Sequence, residues 1–91
     1  MVYIIHLESS IGRCQHYIGY TKNLDQRIKE HRSNHGGSPL LREANRRGIA
    51  REVVIQIPNG DRETEKWLKS HKKAKDFCPI CNPGIADIPF I

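Results

Sequence analysis

No stretch of eighteen apolar residues occurs in the chain, so nothing in it is expected to span a membrane. Internal repeats are absent, and no linker-like run divides the sequence. Cysteine is scarce: Cys14, Cys78 and Cys81 form an odd set, which does not make a disulfide framework. Negative charge is the minority sign, with 10 acidic against 15 basic residues and a net charge of +5. That balance points to a polyanionic partner. Ninety-one residues make one domain. A chain of this size buries only roughly 60–65% of its unfolded surface, so the core is thin and each apolar strand matters. Met1 runs straight into a β-rich stretch with no signal peptide, and an intracellular protein, cytoplasmic or nucleoid-associated, is expected.

What is present reads as an ordered series of short elements. Val2 to Leu7 is the first strand, with Tyr3, Ile5 and Leu7 on one face and Val2, Ile4 and His6 on the other. Both faces carry apolar residues, so both should be covered. Glu8 to Gln15 reads as a polar loop, and His16 to Thr21 as a second strand returning antiparallel. A helix capped near Asn23 runs to about Asn34 and stops at His35-Gly36-Gly37. Ser38 caps a second helix with Pro39 in its first turn, and Gly48 ends it. Glu52 to Pro58 is the third strand, with Val53, Ile55 and Ile57 on one face and Val54 on the other. Asp61 caps a third helix from Arg62 to about Lys73, after which the prolines at 79, 83 and 89 leave the chain irregular. The expected fold is a small α/β domain of the α+β type: a three-stranded, mainly antiparallel sheet flanked by helices in the order β-β-α-α-β-α. Residues 1–82 form the domain and 83–91 an irregular tail.

The rest is organised around residues 16–31. On the first helix Arg27 and His31 are four apart and lie on one face. His31 falls almost over Leu24, so an imidazole and a guanidinium edge the stripe that should pack on the sheet. Such placement costs free energy unless the groups have partners or a task.

Val2-Tyr3-Ile4, then Tyr17-Ile18-Gly19, then Arg27 ten positions after Tyr17, with Glu65 on a later helix, resembles the GIY-YIG nuclease domain. The resemblance covers roughly residues 1–82 and is strongest to small stand-alone members ending in a Cys-Pro-x-Cys tail. The first motif lacks its glycine, because Met1 precedes Val2-Tyr3. The resemblance implies a metal-dependent DNA endonuclease that hydrolyses phosphodiester bonds without a covalent intermediate. In it Glu65 would bind one Mg²⁺ or Mn²⁺ ion, Arg27 would hold the scissile phosphate, and Tyr3 would orient or deprotonate the attacking water. Tyr17 would position the water or the phosphate, and His31 would assist. A tyrosine with its ordinary pKa of about 10 serves as a base only with help from positive charge or an acceptor such as His31. Taken singly, each residue has an ordinary explanation. The tyrosines would be core residues with hydroxyls at the rim, Arg27 a solvated helix residue, His31 a partner of its helix C-terminus, and Glu65 an i,i+4 partner of Lys69. The ordered set favours the nuclease. Glu63 is a nearby rival for the metal role, and Lys73 stands near the place where many members carry an asparagine, with Asn82 further on.

Lys22, Arg32, Arg46, Arg47, Lys69, Lys72 and Lys73 are candidate phosphate contacts, with Lys29 and Lys75 beside them. No separate recognition domain is present, so non-specific, salt-sensitive DNA binding is expected, with any targeting left to loops or to a partner protein. Two other functions stand beside this one: a catalytically quiet nucleic-acid-binding module on the same fold, and a zinc-stabilised interaction module. Cys78-Pro79-Ile80-Cys81 supplies half a zinc site, which His71, Cys14 or His16 could complete. The simpler reading packs the cysteines on the sheet as small apolar groups, and zinc is not the favoured expectation.

Overall fold

Strand β1 (Val2–Ile11) forms the middle of a three-stranded antiparallel sheet, flanked by β2 (Cys14–Tyr20) and β3 (Arg51–Ile57) in the order β2-β1-β3. Helices α1 (Leu24–Arg32), α2 (Pro39–Arg47), α3 (Arg62–Ser70) and the single turn α4 (Ala74–Phe77) complete the chain order. The computed structural model describes residues 1–32, 38–71 and 74–84. The expected helix stop at 35–37 and the residues Lys72, Lys73 and Pro89 lie outside them.

The apolar alternation of β1 explains why the sheet is covered on both faces. Val2, Ile4 and Ile18 pack with Ile55, Ile57, Leu68, Ala74 and Phe77 on one face. Tyr3, Ile5 and Leu7 pack with Leu41 and Ala44 of α2 on the other, joined by Leu24 of α1. Every residue from Val2 to Leu7 is buried. Each such aliphatic side chain contributes about 1.5–3 kcal/mol, so this one strand carries a large share of a thin core.

The helix starts follow their caps. The Asn23 Oδ1 accepts from the Gln26 N–H at 3.1 Å, the Ser38 Oγ from the Leu41 N–H at 3.3 Å, and the Asp61 Oδ1 from the Thr64 N–H at 2.9 Å. Gly48 ends α2 at φ 70°, a left-handed position that glycine adopts without a Cβ clash.

Four details depart from the sequence reading. Glu8 to Gln15 is not a loop, because β1 runs on to Ile11 and β2 begins at Cys14. Gly12 at φ 61° closes the chain in two residues, and a ladder needs only backbone, so the exposed Glu8, Ser9 and Ser10 can extend the strand. Val53 does not share a face with Ile55 and Ile57: Ile4 pairs with Ile55 but Ile5 with Val53, which makes Val54 an extra, bulged residue. Val53 therefore joins Tyr3 and Ile5, while Val54 joins the Ile55 side. Helix α3 ends at Ser70, where the Ser70 hydroxyl donates to the Trp67 carbonyl at 3.2 Å and satisfies a terminal acceptor. Finally, the chain after Ala74 is helical for one turn, held by Phe77 stacked on Trp67 with ring centroids 6.3 Å apart.

Candidate active site

The register of β1 and β2 decides where the tyrosines point. Tyr3 pairs with Gly19 and Ile5 with Tyr17, so both phenols stand on the α1/α2 face. Gly19 is required there. A Cβ on it would sit 2.5 Å from the Tyr3 Oη, inside the space the phenol occupies. The ring thus lies across the backbone of the edge strand β2, and its hydroxyl is buried.

Helix α1 delivers His31 to that hydroxyl. The Tyr3 Oη and the His31 Nε2 are 2.9 Å apart in a buried hydrogen bond. The Tyr17 ring meets the imidazole edge-on at 5.4 Å and the Tyr3 ring at 6.0 Å. Helix α2 braces the end of α1, because the Asn45 side-chain amide donates to the His31 carbonyl at 2.6 Å. The His31 Nδ1 is buried and has no hydrogen-bond partner among the described residues.

Burial, then the Arg27 and Arg51 guanidinium groups, hold the His31 pKa below its ordinary value, with Glu30 opposing. That shift favours the neutral imidazole, which in its Nδ1–H tautomer accepts from the Tyr3 hydroxyl. Burial, followed by the adjacent Tyr17 hydroxyl, pushes the Tyr3 phenol up from 10. The Arg27 charge pulls it back and the Glu65 carboxylate pushes it further. Arg27 and Glu65 are therefore both electrostatic neighbours of the Tyr3 hydroxyl, although they come from different helices. Arg27 is half-exposed and loosely paired with Glu30 at 3.3 Å. Glu65 is largely buried and held at longer range, by Lys69 at 3.4 Å and Arg62 at 3.9 Å. Its rival Glu63 is exposed and 3.8 Å from Lys66.

The Glu65 carboxylate is a hard oxygen donor with no short hydrogen bond to either cationic neighbour, which suits a cation such as Mg²⁺ that takes one carboxylate and keeps its waters. Of the residues named from the motif, Tyr3, Tyr17 and His31 are in mutual contact, while Arg27 and Glu65 act on Tyr3 through their charge.

The candidate phosphate contacts are less uniform. Arg46 grips Glu43 through two nitrogens at 2.7 and 2.6 Å, and Arg47 adds a third bond at 2.7 Å. The two hold the Glu43 carboxyl down at about 2. Their charge is largely spent locally. Lys22 and Arg32 are exposed. A groove of about 620 Å³ runs along the outer edge of β2 past Tyr17, with Arg13, Lys69 and Lys75 among its walls. Arg13 had no signal in the sequence beyond its charge, because its place depends on the tight turn at Gly12.

The sequence reading also missed Arg51 and His6. Arg51 lines a pocket of about 80 Å³ beside His31 and Ile28, with its Nη1 buried and unpartnered among the described residues. His6 stands on the opposite face of β1 from Tyr3, paired across the ladder with His16. There it meets Cys78 and Cys81, while His71, expected as their partner, instead stacks on Trp67 at 4.5 Å. Burial, then His6 and Lys75, lowers the His16 pKa; burial, then Cys78, raises that of Cys81. Cys14 is exposed and apart from the cluster.

Among the described residues no helix is long and apolar enough to cross a membrane. Comparison with curated proteins and with solved structures returned no match. The model of the GIY-YIG catalytic domain matches residues 1–77. That span takes in the paired tyrosines, the Gly19 cradle, Arg27 and Glu65, and on it the chain belongs to the GIY-YIG nuclease family.

Proposed function

We propose that the protein is a divalent-metal-dependent endonuclease that hydrolyses DNA phosphodiester bonds, nicking with little intrinsic sequence preference. The observation that carries this reading is the 2.9 Å bond from Tyr3 to a neutral, buried His31, with Arg27 and Glu65 as electrostatic neighbours of the same hydroxyl. The phenol alone is too weak a base. Its proton can move to the His31 Nε2 as its oxygen takes one from an attacking water. His31 is reluctant to charge because Arg27 and Arg51 face it. A phosphate bound on the Arg27 fork cancels that repulsion, so the relay becomes competent when substrate arrives. Tyr17 limits where the water and phosphate can sit. Glu65 would hold the metal ion, which when bound supplies charge neutralisation at the phosphate.

The groove walled by Arg13, Lys69 and Lys75 supports a backbone-tracking, salt-sensitive mode of DNA binding. The charge of both Arg27 and Glu65 felt at Tyr3 supports a cutting enzyme over a quiet binding module. The His6–Cys81 cluster occupies the other face of the sheet, so a stabilising metal there is compatible with nuclease activity. The test is nicking of supercoiled plasmid with Mg²⁺ or Mn²⁺, against chelator and against Arg27→Ala. Metal-dependent nicking lost in the variant is expected. Equal nicking by the variant would remove Arg27 from the chemistry.

A further inference from the structure

His6, His16, Cys78 and Cys81 come from three separate parts of the chain and turn one atom each toward a common centre. His6 and His16 are cross-strand partners on β1 and β2. Cys78 and Cys81 follow α4, whose Ala74 and Phe77 are anchored in the same core. The His6 Nδ1 and His16 Nε2 are 3.2 Å apart. The Cys78 Sγ is 3.5 Å from the His6 Nδ1, and the Cys81 Sγ is 3.6 Å from the same atom and 3.4 Å from the His16 Nε2. All four atoms lie within 4.8 Å of one another.

Those separations are close to what a single tetrahedral ion requires. A tetrahedral zinc, with Zn–N of about 2.0–2.1 Å and Zn–S of about 2.3 Å, sets its ligand atoms about 3.3–3.8 Å apart. Hydrogen bonding through weak S–H donors would hold these four atoms only loosely, whereas one ion accepts a lone pair from each of them. The spacing leaves room for one ion and not for a two-iron cluster. Two thiolates with two imidazoles suit zinc, whereas a hard cation such as Mg²⁺ selects oxygen. The backbone is prepared as well. The Asn82 N–H donates to the Cys78 carbonyl at 2.8 Å, and the Asn82 side-chain amide to the Asp76 carbonyl at 2.7 Å, which folds the Cys-Pro-Ile-Cys turn on itself.

We infer that His6, His16, Cys78 and Cys81 form a structural Zn²⁺ site that clamps the segment after α4 to strands β1 and β2. All four positions are filled by protein, so the ion has no open site for a substrate. Both thiols release their protons to solvent on binding. The clamp holds α4, and with it Lys75, against the end of the groove on β2. This inference is independent of the nuclease reading, because the four ligands share no residue with Tyr3, Arg27, His31 or Glu65.

The test uses the full chain, purified with a thiol reductant and no added zinc, and assayed by elemental mass spectrometry. About one zinc per chain is expected. Cys81→Ser and His6→Ala should each lose most of it, whereas Cys14→Ser and His71→Ala should keep the parent stoichiometry. Should the loss variants fail to fold, Co²⁺ exchanged into the parent and into His16→Cys decides. The parent should show the visible bands of tetrahedral cobalt, and the variant should keep them with stronger sulfur-to-cobalt charge transfer. Three outcomes overturn the site: no zinc and no tetrahedral cobalt spectrum in the reduced parent, unchanged zinc in Cys81→Ser, or zinc lost in His71→Ala.

Discussion

Tyr3 and His31 are 28 residues apart in the chain and share a buried hydrogen bond of 2.9 Å. The bond joins the central strand to α1 and couples the acidity of a phenol to the basicity of an imidazole. Replacing Tyr3 by Phe keeps the ring and removes only the coupling. Nicking should fall by about 10²–10⁴-fold, the usual range for a lost acid–base group. Stability should fall by only about 1–2 kcal/mol, the cost of an unpaired His31 Nε2. Nicking rates and urea unfolding measure the two effects separately; near-parent cutting would show that the phenol oxygen takes no part.

The same imidazole makes stability depend on pH. The folded His31 pKa lies below the unfolded value of 6.5. The unfolded chain therefore binds the proton first as pH falls. The contribution of neutral His31 is complete above about pH 6.5 and is lost progressively below it, down to the lowered folded pKa. Urea midpoints between pH 8 and 5 should fall more steeply for the parent than for His31→Gln. Parallel curves would sink this assignment.

Gly19 is expected to tolerate no side chain. The Cβ of Gly19→Ala meets the Tyr3 hydroxyl at 2.5 Å, and relief requires moving a buried ring, which costs about 1–3 kcal/mol. Cutting should drop as well, because the displaced ring carries its hydroxyl away from His31. Gly12→Ala meets nothing within 4 Å and is strained only by its positive φ, so it should leave nicking near the parent rate. Chemical denaturation with nicking assays on both variants checks the contrast, which fails if Gly12→Ala is the more harmful to cutting.

Metal dependence should reside in Glu65. Glu65→Ala is expected to lose about 100-fold or more of Mg²⁺-dependent nicking while retaining its fold and most DNA binding. Far-ultraviolet circular dichroism and a DNA shift assay verify the two controls. Cutting at the parent rate would transfer the metal role to Glu63 or elsewhere.

DNA affinity should discriminate between free and locally paired cations. Lys75→Ala or Arg13→Ala should each reduce the log–log salt slope of binding by about 1. Arg46→Ala should change it less, because Glu43 already occupies that guanidinium. A larger change for Arg46 would move the binding surface from the β2 groove to α2.

Much of the fold was legible because local chemistry specifies it. Asn23, Ser38 and Asp61 announce their helices, and the two-sided apolar alternation of Val2–Leu7 announces a central strand. The motif residues were legible as candidates, since their spacing is a property of the chain. What the sequence concealed depends on register and on contacts between distant segments. The bulge at Val54 exchanges the faces of Val53 and Val54 without any glycine or proline to mark it. The pairing of Tyr3 with Gly19, and of His6 with His16, depends on a hairpin whose register shifts between His6 and Ile11. His71 was nearer to Cys78 in sequence than His6, yet the ring stack on Trp67 takes it away. Only the three-dimensional path of the last turn brings Cys78 to a strand 72 residues earlier.

Strand β1 presents Tyr3 on one side and His6 on the other, so a single pairing register positions both groups. A slip of one residue in its pairing exchanges the two sides. The phenol would then confront the cysteines, and the imidazole of His6 would stand among the chemistry of α1. Such a slip would undo the Tyr3–His31 bond and the histidine–cysteine cluster at once.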